Sequence, residues 1–512
     1  MGRALLLLAI MVGALTFAYG TWTSVTTYES PYHVRGGLPG SEPVAERAVL
    51  IVLDGIRLDV SRGMRELQAL AGRGSSGTSR SVLPSLSNPN WAVFMTGAWP
   101  EVNGVTNNGR FRPPPVDSLF SLAADADLPR AAAGSTFWGR AFGDYLEGNL
   151  LFQQKDFPHG YGAAAISAWQ ADLCGSIERF FSDRSSGLLV AGITGADGAA
   201  HDDGGESQAY REVVQAVDRC LGSLVKTLDD GRTAFVIVSD HGHIDRRGGG
   251  GHGGAEPEVM EVPLVLFGKG VRQAQGWQAQ MVDIAPTLSV LLGLPLPATN
   301  QGGILWHSLD LPDEQSKSAQ ERFEQQQERL GEIVGVGGPR NDSLSPRVIS
   351  SLTVIALALG VIGWAFLRSP ERLMLLVGAA AHFLFYRLLF MVLGLGYSLS
   401  VINSEELLYR FLGKDVLAAV VGLLAVTVPW RLLRPTFDSG KAFALAGVII
   451  SVIAIEVAWI HWASGLFMED VLPDFDLNLK AALHLIQLGA VSLTAAVTIV
   501  WLPDADVGRD DR

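Results

Sequence analysis

Aspartate and histidine residues recur near short apolar segments of this chain, a pattern that can build a metal site. The six candidate ligands are Asp54, Asp197, His201, Asp240, His241 and His252. Carboxylate oxygens and imidazole nitrogens are ligands that suit zinc or manganese. Three aspartates and three histidines are enough for two ions, and two ions about 4 Å apart can hold the attacking and leaving oxygens of a phosphoryl group. The pattern therefore predicts a two-metal site for phosphoryl transfer.

A serine hydroxyl before a predicted helix is the candidate nucleophile. Residues 84–97 read PSLSNPNWAVFMTG, in which Pro89 suits the first helical position and Asn88 suits the cap. Ser87 would then lie just before the helix N-terminus, where free amides and the helix dipole favour an anion. A metal ion beside this hydroxyl would activate it, so Ser87 is also counted among the metal ligands. Ser85 is the competing nucleophile.

Apolar runs and one amphipathic segment predict the elements that position these side chains. Segment 206–228 has its apolar residues at helical spacing. The strand-like runs are 48–53, 188–193, 234–239 and 262–267. Strands that alternate with helices predict an α/β fold with a mostly parallel central sheet and helices on both faces. Ligands in such folds bind beyond the carboxyl ends of the strands, and three of these runs are followed there by an aspartate.

Six apolar segments have about the length needed to cross a membrane. They are 4–19, 349–367, 373–396, 412–430, 442–464 and 480–502. The first is either a cleaved signal peptide or a retained signal anchor, and we expect the anchor because no clear cleavage site follows it. Basic residues in the loops 368–372 and 431–441 share a side with Arg3, which the positive-inside rule makes cytoplasmic. The acidic loop 469–476 then lies outside.

These features predict the order of segments along the chain. They are a signal anchor at 1–24, an extracytoplasmic catalytic domain at 45–310, a polar stalk at 311–346, a five-helix transmembrane domain at 347–504 and a cytoplasmic tail at 505–512. The stalk is expected to be helical and to end in a flexible GVGGPRND joint. We therefore expect an integral protein of the plasma membrane, with membrane lipids as partners and both termini in the cytoplasm. The sequence does not predict an oligomeric state.

Composition excludes several classes of protein. The 512-residue chain has a net charge of −13, which is unsuited to nucleic-acid phosphates, so no nucleic acid is expected as a partner. Two cysteines, Cys174 and Cys220, are too few for a disulfide scaffold or a cysteine-ligated zinc module. In an exported domain this pair could form a disulfide, and a buried thiol on the predicted helix is an equal alternative.

The ordered set of motifs resembles the alkaline phosphatase superfamily. The matching pieces are a strand followed by Asp54-Gly, the block S-x-P-N-x5-T-G, D-x3-H, S-D-H-G, H-G-G and a closing segment at 282–297. The resemblance covers about residues 45–300, and the most similar branches are the type I phosphodiesterase/nucleotide pyrophosphatases and the GPI ethanolamine phosphate transferases. It implies one ion held by Asp54, Ser87, Asp240 and His241 and a second held by Asp197, His201 and His252. Zinc is the metal that it implies, with manganese as the alternative.

The resemblance also assigns a phosphate-binding role to Asn108, and the chain departs from the family pattern in two respects. Asn108 lies 21 residues after Ser87, the offset at which the phosphodiesterase branch has a phosphate-binding asparagine. Its amide is therefore expected to donate to a phosphate oxygen. The ethanolamine phosphate transferases do not clearly share this asparagine, and both branches usually have threonine as the nucleophile. His243 is the rival of His252 and is expected to be a loop residue rather than a ligand.

Together these features predict a membrane-anchored phosphodiesterase or phospho-head-group transferase that forms a phospho-serine at Ser87. A lipid-linked or envelope phosphoester is the expected substrate. One span would suffice to tether the catalytic domain, whereas this chain has six candidate spans. The alternatives are a phosphomonoesterase, a sulfatase and a non-catalytic scaffold. The sulfatase motif [C/S]-x-P-x-R is incomplete here because Trp91 replaces its arginine. Polar residues within the predicted spans could handle lipid or lie at the interface: His382, Arg387, Glu456, His461 and His484.

Overall fold

A computed structural model describes most of the chain in two units. The described residues are 1–109, 111–153, 157–246, 249–335, 346–369, 371–402, 405–434, 436–466, 472 and 474–502. Residues 29–340 form the first unit, named here the α/β unit, and residues 1–28 and 341–512 form the helical unit. The predicted tail 505–512, half of the acidic loop 469–476 and most of the GVGGPRND joint lie outside the described residues.

An eight-stranded mixed sheet forms the centre of the α/β unit. The strands of the chain are β1 (Arg47–Leu53), β2 (Ser75–Arg80), β3 (Arg130–Gly134), β4 (Leu151–Gln153), β5 (Gly187–Ile193), β6 (Thr233–Ser239), β7 (Ile244–Arg246), β8 (Gly249–Gly251), β9 (Glu261–Gly268) and β10 (Ala274–Gln280). The sheet order is β10-β2-β9-β6-β1-β5-β3-β4, and β7 pairs with β8 in a separate ribbon. Neighbouring strands are parallel except that β9 is antiparallel to β2 and β6. This arrangement confirms the predicted α/β class with a mostly parallel sheet.

Helices precede, connect and follow these strands. They are α1 (Gly2–Thr26), α2 (Leu58–Ser61), α3 (Arg65–Arg73), α4 (Ser87–Thr96), α5 (Pro100–Asn103), α6 (Leu119–Asp125), α7 (Phe137–Phe142), α8 (Gly162–Phe181), α9 (Gly195–Asp203), α10 (Gln208–Leu228), α11 (Pro257–Met260), α12 (Ile284–Leu292), α13 (Asp313–Gly335), α14 (Pro346–Arg368), α15 (Arg372–Val392), α16 (Glu405–Leu433), α17 (Ser439–Ser464) and α18 (Phe475–Trp501). The predicted amphipathic helix at 206–228 corresponds to α10.

Both faces of the sheet are buried, which explains why its central strands read as continuous apolar runs. All seven residues of β1 are buried. Leu50 belongs to the cluster that contains Phe94 of α4. Ile51, on the other face, belongs to the cluster that contains Leu173 of α8 and Leu221 of α10. Alternate residues of one strand thus pack against helices on opposite sides of the sheet.

Three parallel strands end together and define the edge where the chemistry could take place. Leu53, the last residue of β1, is paired with Ile193 of β5 and with Ser239 of β6. The segments that follow these strands therefore begin side by side. One of them carries Asp54, the second leads into α9, and the third carries Asp240.

Two further contacts tie helices to the α/β unit. Cys174 of α8 and Cys220 of α10 form a disulfide with a Cα–Cα distance of 5.6 Å, which decides between the two alternatives left open by the sequence. The side-chain amide of Gln326, in α13, donates hydrogen bonds to the carbonyl oxygens of Ala298 and Asn300 at 3.2 and 3.3 Å. The helix predicted within the stalk therefore packs on the α/β unit.

Within its described residues, the helical unit contains six helices that are long and apolar enough to cross a membrane, in agreement with the six predicted segments. They are Gly2–Thr26, Pro346–Arg368, Arg372–Val392, Leu407–Leu433, Ser439–Ser464 and Phe475–Trp501. These helices indicate an integral membrane protein.

Side-chain contacts show which helix ends share a side of the helical unit. Arg3 donates a hydrogen bond to Ser439 at 3.1 Å, and Lys441 forms an ion pair with Glu371 at 3.2 Å. The N-terminus of α1 and the two predicted basic loops are therefore on one side. At the opposite end of α1, Ser24 lies 3.4 Å from the side-chain nitrogen of Asn478.

Candidate metal centre and nucleophile

The first group of candidate ligands follows β1 and β6 and is called the Asp54 site. It consists of Asp54, Asp240 and His241, whose ligand atoms all lie within 4.8 Å of one another. The Nε2 atom of His241 is 3.5 Å from Oδ1 of Asp54 and 3.6 Å from Oδ2 of Asp240. All three side chains are buried. The parallel pairing of β1 and β6 thus brings together residues that are 186 positions apart.

The second group is called the Asp197 site and contains Asp197, His201 and His252. Asp197 lies in the first turn of α9, and His201 follows one turn later on the same helix face. Oδ1 of Asp197 is 3.4 Å from Nε2 of His201 and 3.5 Å from Nε2 of His252. The two Nε2 atoms are 3.1 Å apart. All six predicted ligands are therefore brought together in two adjacent groups.

A close backbone approach places the two sites next to each other. Gly55 has φ of +75°, and a Cβ atom at this position would lie 2.7 Å from Cα of Asp197. Any side chain here would therefore push the turn after β1 away from α9. The Tyr210 hydroxyl holds this turn by donating to the Gly55 carbonyl at 2.8 Å and accepting from the Arg57 amide at 3.0 Å.

Ser87 faces the Asp54 site. Its Oγ is 3.5 Å from Oδ1 of Asp54 and 3.2 Å from Nε2 of His241. The helix α4 begins at Ser87 with Leu86 at the cap, so the predicted start at Pro89 was two residues too late. Proline fits within the first turn because the amides there have no partner inside the helix. Ser87 consequently presents its hydroxyl from the first turn itself.

Asn90 fixes the segment that leads into α4. Its side-chain oxygen accepts a hydrogen bond from the Val82 amide at 3.0 Å, and its Nδ2 donates to the Leu86 carbonyl at 2.9 Å. Asn90 is fully buried. One side chain thus holds both ends of the loop that precedes Ser87.

Asn108 lies beside the start of α4, next to the candidate nucleophile. Its Oδ1 accepts a hydrogen bond from the Asn88 amide, and its carbonyl accepts one from Nδ2 of Asn88, both at 2.9 Å. Because Oδ1 is used in this way, the NH2 group of Asn108 is the part that could donate to a phosphate oxygen.

Ser85, the competing nucleophile, is held in place by hydrogen bonds to the backbone around His252. It is fully buried, and its hydroxyl donates to the Gly254 carbonyl at 2.7 Å and accepts from the Gly253 amide at 2.9 Å. Its carbonyl lies 2.8 Å from Nδ1 of His252. A carbonyl only accepts, so Nδ1 of His252 carries the proton and Nε2 is left to bind a metal.

The electrostatics of the Asp54 site fit a divalent cation. Burial, together with the carboxylates of Asp240 and Asp197, raises the pKa of Asp54 well above its ordinary value. Among the described residues, the ion pairs of Asp54 and Asp240 involve the His241 imidazole. Buried carboxylates without a lysine or arginine partner are expensive unless a metal ion offsets their charge.

The Asp197 site also has the protonation states that a metal requires. Burial alone would raise the pKa of Asp197, but the neighbouring His201, His243 and His252 lower it well below its ordinary value. Burial also lowers the pKa of His252 well below its ordinary value and that of His243 to about 4. An ionised carboxylate and neutral imidazoles are the forms that bind metal ions.

The sequence analysis did not include His243 among the ligands, yet the structure places it in the cluster. His243 is fully buried, and its Nε2 lies 2.9 Å from Oδ1 of Asp197. Its ligand atom also lies within 4.8 Å of those of His241 and His252. His243 was expected to be a loop residue because it is too close to His241 to be an independent strand-end ligand. The chain is irregular at 241–243, so two histidines separated by one residue can reach the same cluster.

Part of the chain matches a known family. Residues 48–248 match the family model described as type I phosphodiesterase/nucleotide pyrophosphatase. GPI ethanolamine phosphate transferase 1 of Mus musculus is 25% identical over 314 residues, covering 51% of this chain and 32% of the relative. GPI ethanolamine phosphate transferase 3 of Schizosaccharomyces pombe is 24% identical over 282 residues, covering 51% and 30%. The chain thus spans about a third of the length of these relatives. These matches confirm the resemblance seen in the motifs.

Solved structures with a related fold are more distant. A mutant of the alkaline phosphatase PafA has a TM-score of 0.43 at 12% identity and covers 53% of this chain and 100% of its own. Murine ectonucleotide pyrophosphatase/phosphodiesterase 5 has a TM-score of 0.41 at 14% identity and covers 51% of this chain and 98% of its own.

Proposed function

Because residues 48–248 match the type I phosphodiesterase/nucleotide pyrophosphatase family, we propose that this chain is a membrane-anchored, two-metal phosphoesterase with Ser87 as its nucleophile. The reaction is either phosphodiester hydrolysis or transfer of a phospho-head-group. Its substrate is a lipid-linked or envelope phosphoester, in line with the similarity to ethanolamine phosphate transferases and with six candidate membrane helices.

One observation carries this proposal: the Ser87 hydroxyl lies beside two adjacent groups of side chains that could bind metal ions. Its Oγ is 3.2 Å from Nε2 of His241, a member of the Asp54 site. The His241 ring in turn stacks on the ring of His252 in the Asp197 site, with centroids 3.6 Å apart. A phosphoryl group in front of Ser87 would therefore face both ligand groups at once.

The proposed chemistry has two steps. Ser87 Oγ forms a bond to phosphorus while the bond from phosphorus to the leaving oxygen breaks, which gives a phospho-serine. Water or a hydroxyl group then attacks phosphorus, the Oγ–P bond breaks, and Ser87 is restored. The Asn108 amide would donate to a non-bridging oxygen, where negative charge increases during both steps.

The residues that would hold the two ions fall into the two described sites. Asp54, Asp240, His241 and Ser87 would hold one ion, and Asp197, His201 and His252 would hold the other. Two divalent cations, for which zinc is the first choice and manganese the second, would stabilise the charge on the phosphoryl oxygens and activate the serine hydroxyl.

The proposed location follows from the helical unit and the disulfide. The basic helix ends that share a side with Arg3 would be cytoplasmic, as would both termini. The α/β unit would be extracytoplasmic, where disulfides such as Cys174–Cys220 form and persist. The plasma membrane is the proposed compartment.

The test compares wild type with Ser87→Ala on purified full-length protein in detergent. The substrates are a chromogenic phosphodiester, a phosphomonoester, an aryl sulfate and a phosphoethanolamine lipid. We expect Ser87→Ala to lower turnover of the preferred phosphoester at least about 1,000-fold without altering the melting temperature. Ser182→Ala, at an exposed position of the same unit, is the matched control.

Two results would reject the proposal. Wild-type turnover by Ser87→Ala would show that another group is the nucleophile. Preference for the aryl sulfate over every phosphoester would assign the site to sulfate esters instead. Release of free phosphoethanolamine would indicate a hydrolase, whereas its appearance on an added hydroxyl acceptor would indicate a transferase.

A further inference from the structure

We propose that His243 is a fourth protein ligand of the Asp197 site. The site would then be filled by Asp197, His201, His252 and His243, instead of leaving one coordination position to solvent or substrate. The inference rests on the proposed metal centre, but not on which phosphoester the protein uses.

The distances from Oδ1 of Asp197 to the three histidine nitrogens fit a tetrahedral ion. Zinc–ligand bonds of about 2.0–2.1 Å in a tetrahedron place the ligand atoms about 3.3 Å from one another. Oδ1 of Asp197 is 2.9 Å from Nε2 of His243, 3.4 Å from that of His201 and 3.5 Å from that of His252. His243 therefore approaches the shared carboxylate oxygen as closely as the two histidines that the sequence analysis assigned to this site.

Among the polar contacts of the His243 ring, the one made by its Nε2 is the one that orients it. Arg57 donates a hydrogen bond to the His243 carbonyl at 3.0 Å, which fixes the backbone but not the imidazole. Nδ1 of His243 is buried and has no hydrogen-bond partner among the described residues. The ring is thus oriented through its Nε2, the atom that faces Asp197.

A different role for His243 has to be separated from ligation. In that role Nε2–H donates a hydrogen bond to Asp197 and only orients the carboxylate, as outer partners of metal ligands commonly do. Glutamine can place an N–H donor near the position of Nε2, but it is a poor zinc ligand. Glutamate can place a carboxylate oxygen near the same position and is a zinc ligand, but an ionised carboxylate only accepts and so cannot replace that hydrogen bond.

A fourth protein ligand would change what the Asp197 site does. Zinc sites with four protein ligands are typical of ions that stay bound, whereas three-ligand sites keep a position open for a reacting oxygen. The open position would then belong to the Asp54 site, beside Ser87. An acceptor could reach the Asp197 ion only by raising its coordination number or by displacing His243.

The experiment measures zinc affinity in the full-length protein in detergent. Wild type, His243→Ala, His243→Gln, His243→Glu and the control His307→Gln are titrated with a competing chelator, and bound zinc is counted by elemental analysis. His307 is an exposed histidine of the same unit, outside the cluster. Circular dichroism establishes that each variant is folded.

If His243 is a ligand, wild type binds two zinc ions, and one of them is bound at least about 100-fold more weakly in both His243→Ala and His243→Gln. His243→Glu recovers part of that affinity, and His307→Gln matches wild type. Wild-type affinity in His243→Gln would overturn the inference, since it would leave only the hydrogen-bonding role. Unchanged affinity in His243→Ala would overturn it as well. A wild-type protein that binds no metal would instead overturn the two-metal proposal itself.

Discussion

At the scale of single residues, the indole of Trp91 holds one oxygen of the Asp240 carboxylate, while backbone amides hold the other. Its Nε1–H donates to Oδ2 of Asp240 at 2.6 Å, and its ring stacks on Trp138 with centroids 4.9 Å apart. Both aromatic side chains are buried. A hydrogen bond of this kind orients a ligating carboxylate. Its loss typically lowers metal affinity by roughly 10- to 100-fold.

Replacing Trp91 by phenylalanine tests this contact. Trp91→Phe keeps an aromatic ring but leaves one oxygen of a buried carboxylate without its donor. We expect the affinity of the Asp54 site for zinc to fall about 10- to 100-fold, measured by chelator competition. Trp138→Phe is the matched control, because Nε1 of Trp138 has no hydrogen-bond partner among the described residues. Equal losses in both variants would argue that packing, rather than the hydrogen bond, is responsible.

Asn90 offers a second test at this scale, since it fixes the loop before Ser87 without being within the ligand groups. Asn90→Ala would leave the Val82 amide without its partner and would remove one of the two hydrogen bonds to the Leu86 carbonyl, which also accepts from the backbone amide of residue 90. We expect the free energy of unfolding to fall by about 1–3 kcal/mol and turnover to fall more than 10-fold, because Ser87 loses its fixed position. Urea denaturation and phosphoester turnover measure the two effects. A stability loss without any change in turnover would show that the loop does not position Ser87.

Single residues also show how far the sequence analysis reached. The aspartates after β1 and β6 could be predicted because a strand that ends in an acidic residue is a local pattern. The choice of Ser87 over Ser85 rested on its spacing to the motif around Pro89, and the contacts of Ser85 with Gly253 and Gly254 supply the structural reason. His243 was not predicted as a ligand because it is so close to His241 in sequence, and no local pattern shows where an irregular turn directs its side chains.

At the scale of elements, the disulfide joins α8 to α10 on one face of the sheet. Cys174→Ser combined with Cys220→Ser removes a crosslink between residues 46 positions apart. We expect the double variant to lose about 2–4 kcal/mol of stability, because its unfolded chain is less restricted. Denaturant unfolding of the two proteins under oxidising conditions measures the difference. Equal stability would mean that the crosslink does not restrict the unfolded chain.

Asp117 connects two distant segments of the α/β unit and gives a prediction for the pH dependence of stability. Its Oδ2 accepts hydrogen bonds from the amides of Gly36 and Ala298 at 3.0 and 3.1 Å. Burial raises the pKa of Asp117 above its ordinary value of 3.8. At a pH between 3.8 and the raised pKa, Asp117 keeps its proton in the folded protein but has released it in the unfolded chain. The contribution of Asp117 to stability therefore decreases as the pH rises through this window.

Asp117→Asn keeps an acceptor oxygen and removes the titration. We expect the melting temperature of Asp117→Asn, relative to wild type, to rise from about pH 4 upward and to become constant once wild-type Asp117 is ionised. Differential scanning calorimetry over that range measures it. A difference that is independent of pH would show that Asp117 does not titrate differently in the folded and unfolded states.

The elements themselves were largely predictable. Strands β1, β5, β6 and β9 and helix α10 follow from apolar runs and helical spacing, because burial on both faces of a sheet leaves an unmistakable pattern. The start of α4 was placed two residues late because Pro89 was assigned to the first helical position. Strands such as β2, which reads SSGTSR, lack an apolar signal and depend on pairing with β9 and β10.

At the scale of the whole molecule, the arrangement of the basic helix ends predicts the membrane topology. Ser182 is an exposed residue of the α/β unit, and Leu433 is an exposed residue at the end of α16. We expect a membrane-impermeant maleimide to label Ser182→Cys in intact cells and to label Leu433→Cys only after permeabilisation. The native cysteines form a disulfide and do not react. The reverse labelling pattern would contradict the proposed orientation.

The central claim is that two cations bind beside Ser87, held by carboxylates and imidazoles from distant parts of the chain. A crystal structure of the zinc-loaded protein, with anomalous diffraction recorded at the zinc absorption edge, tests this claim most directly. We predict two anomalous peaks about 4 Å apart, one bounded by Asp54, Asp240, His241 and Ser87 and the other by Asp197, His201 and His252. Peaks at other positions, or none within reach of Ser87 Oγ, would contradict it.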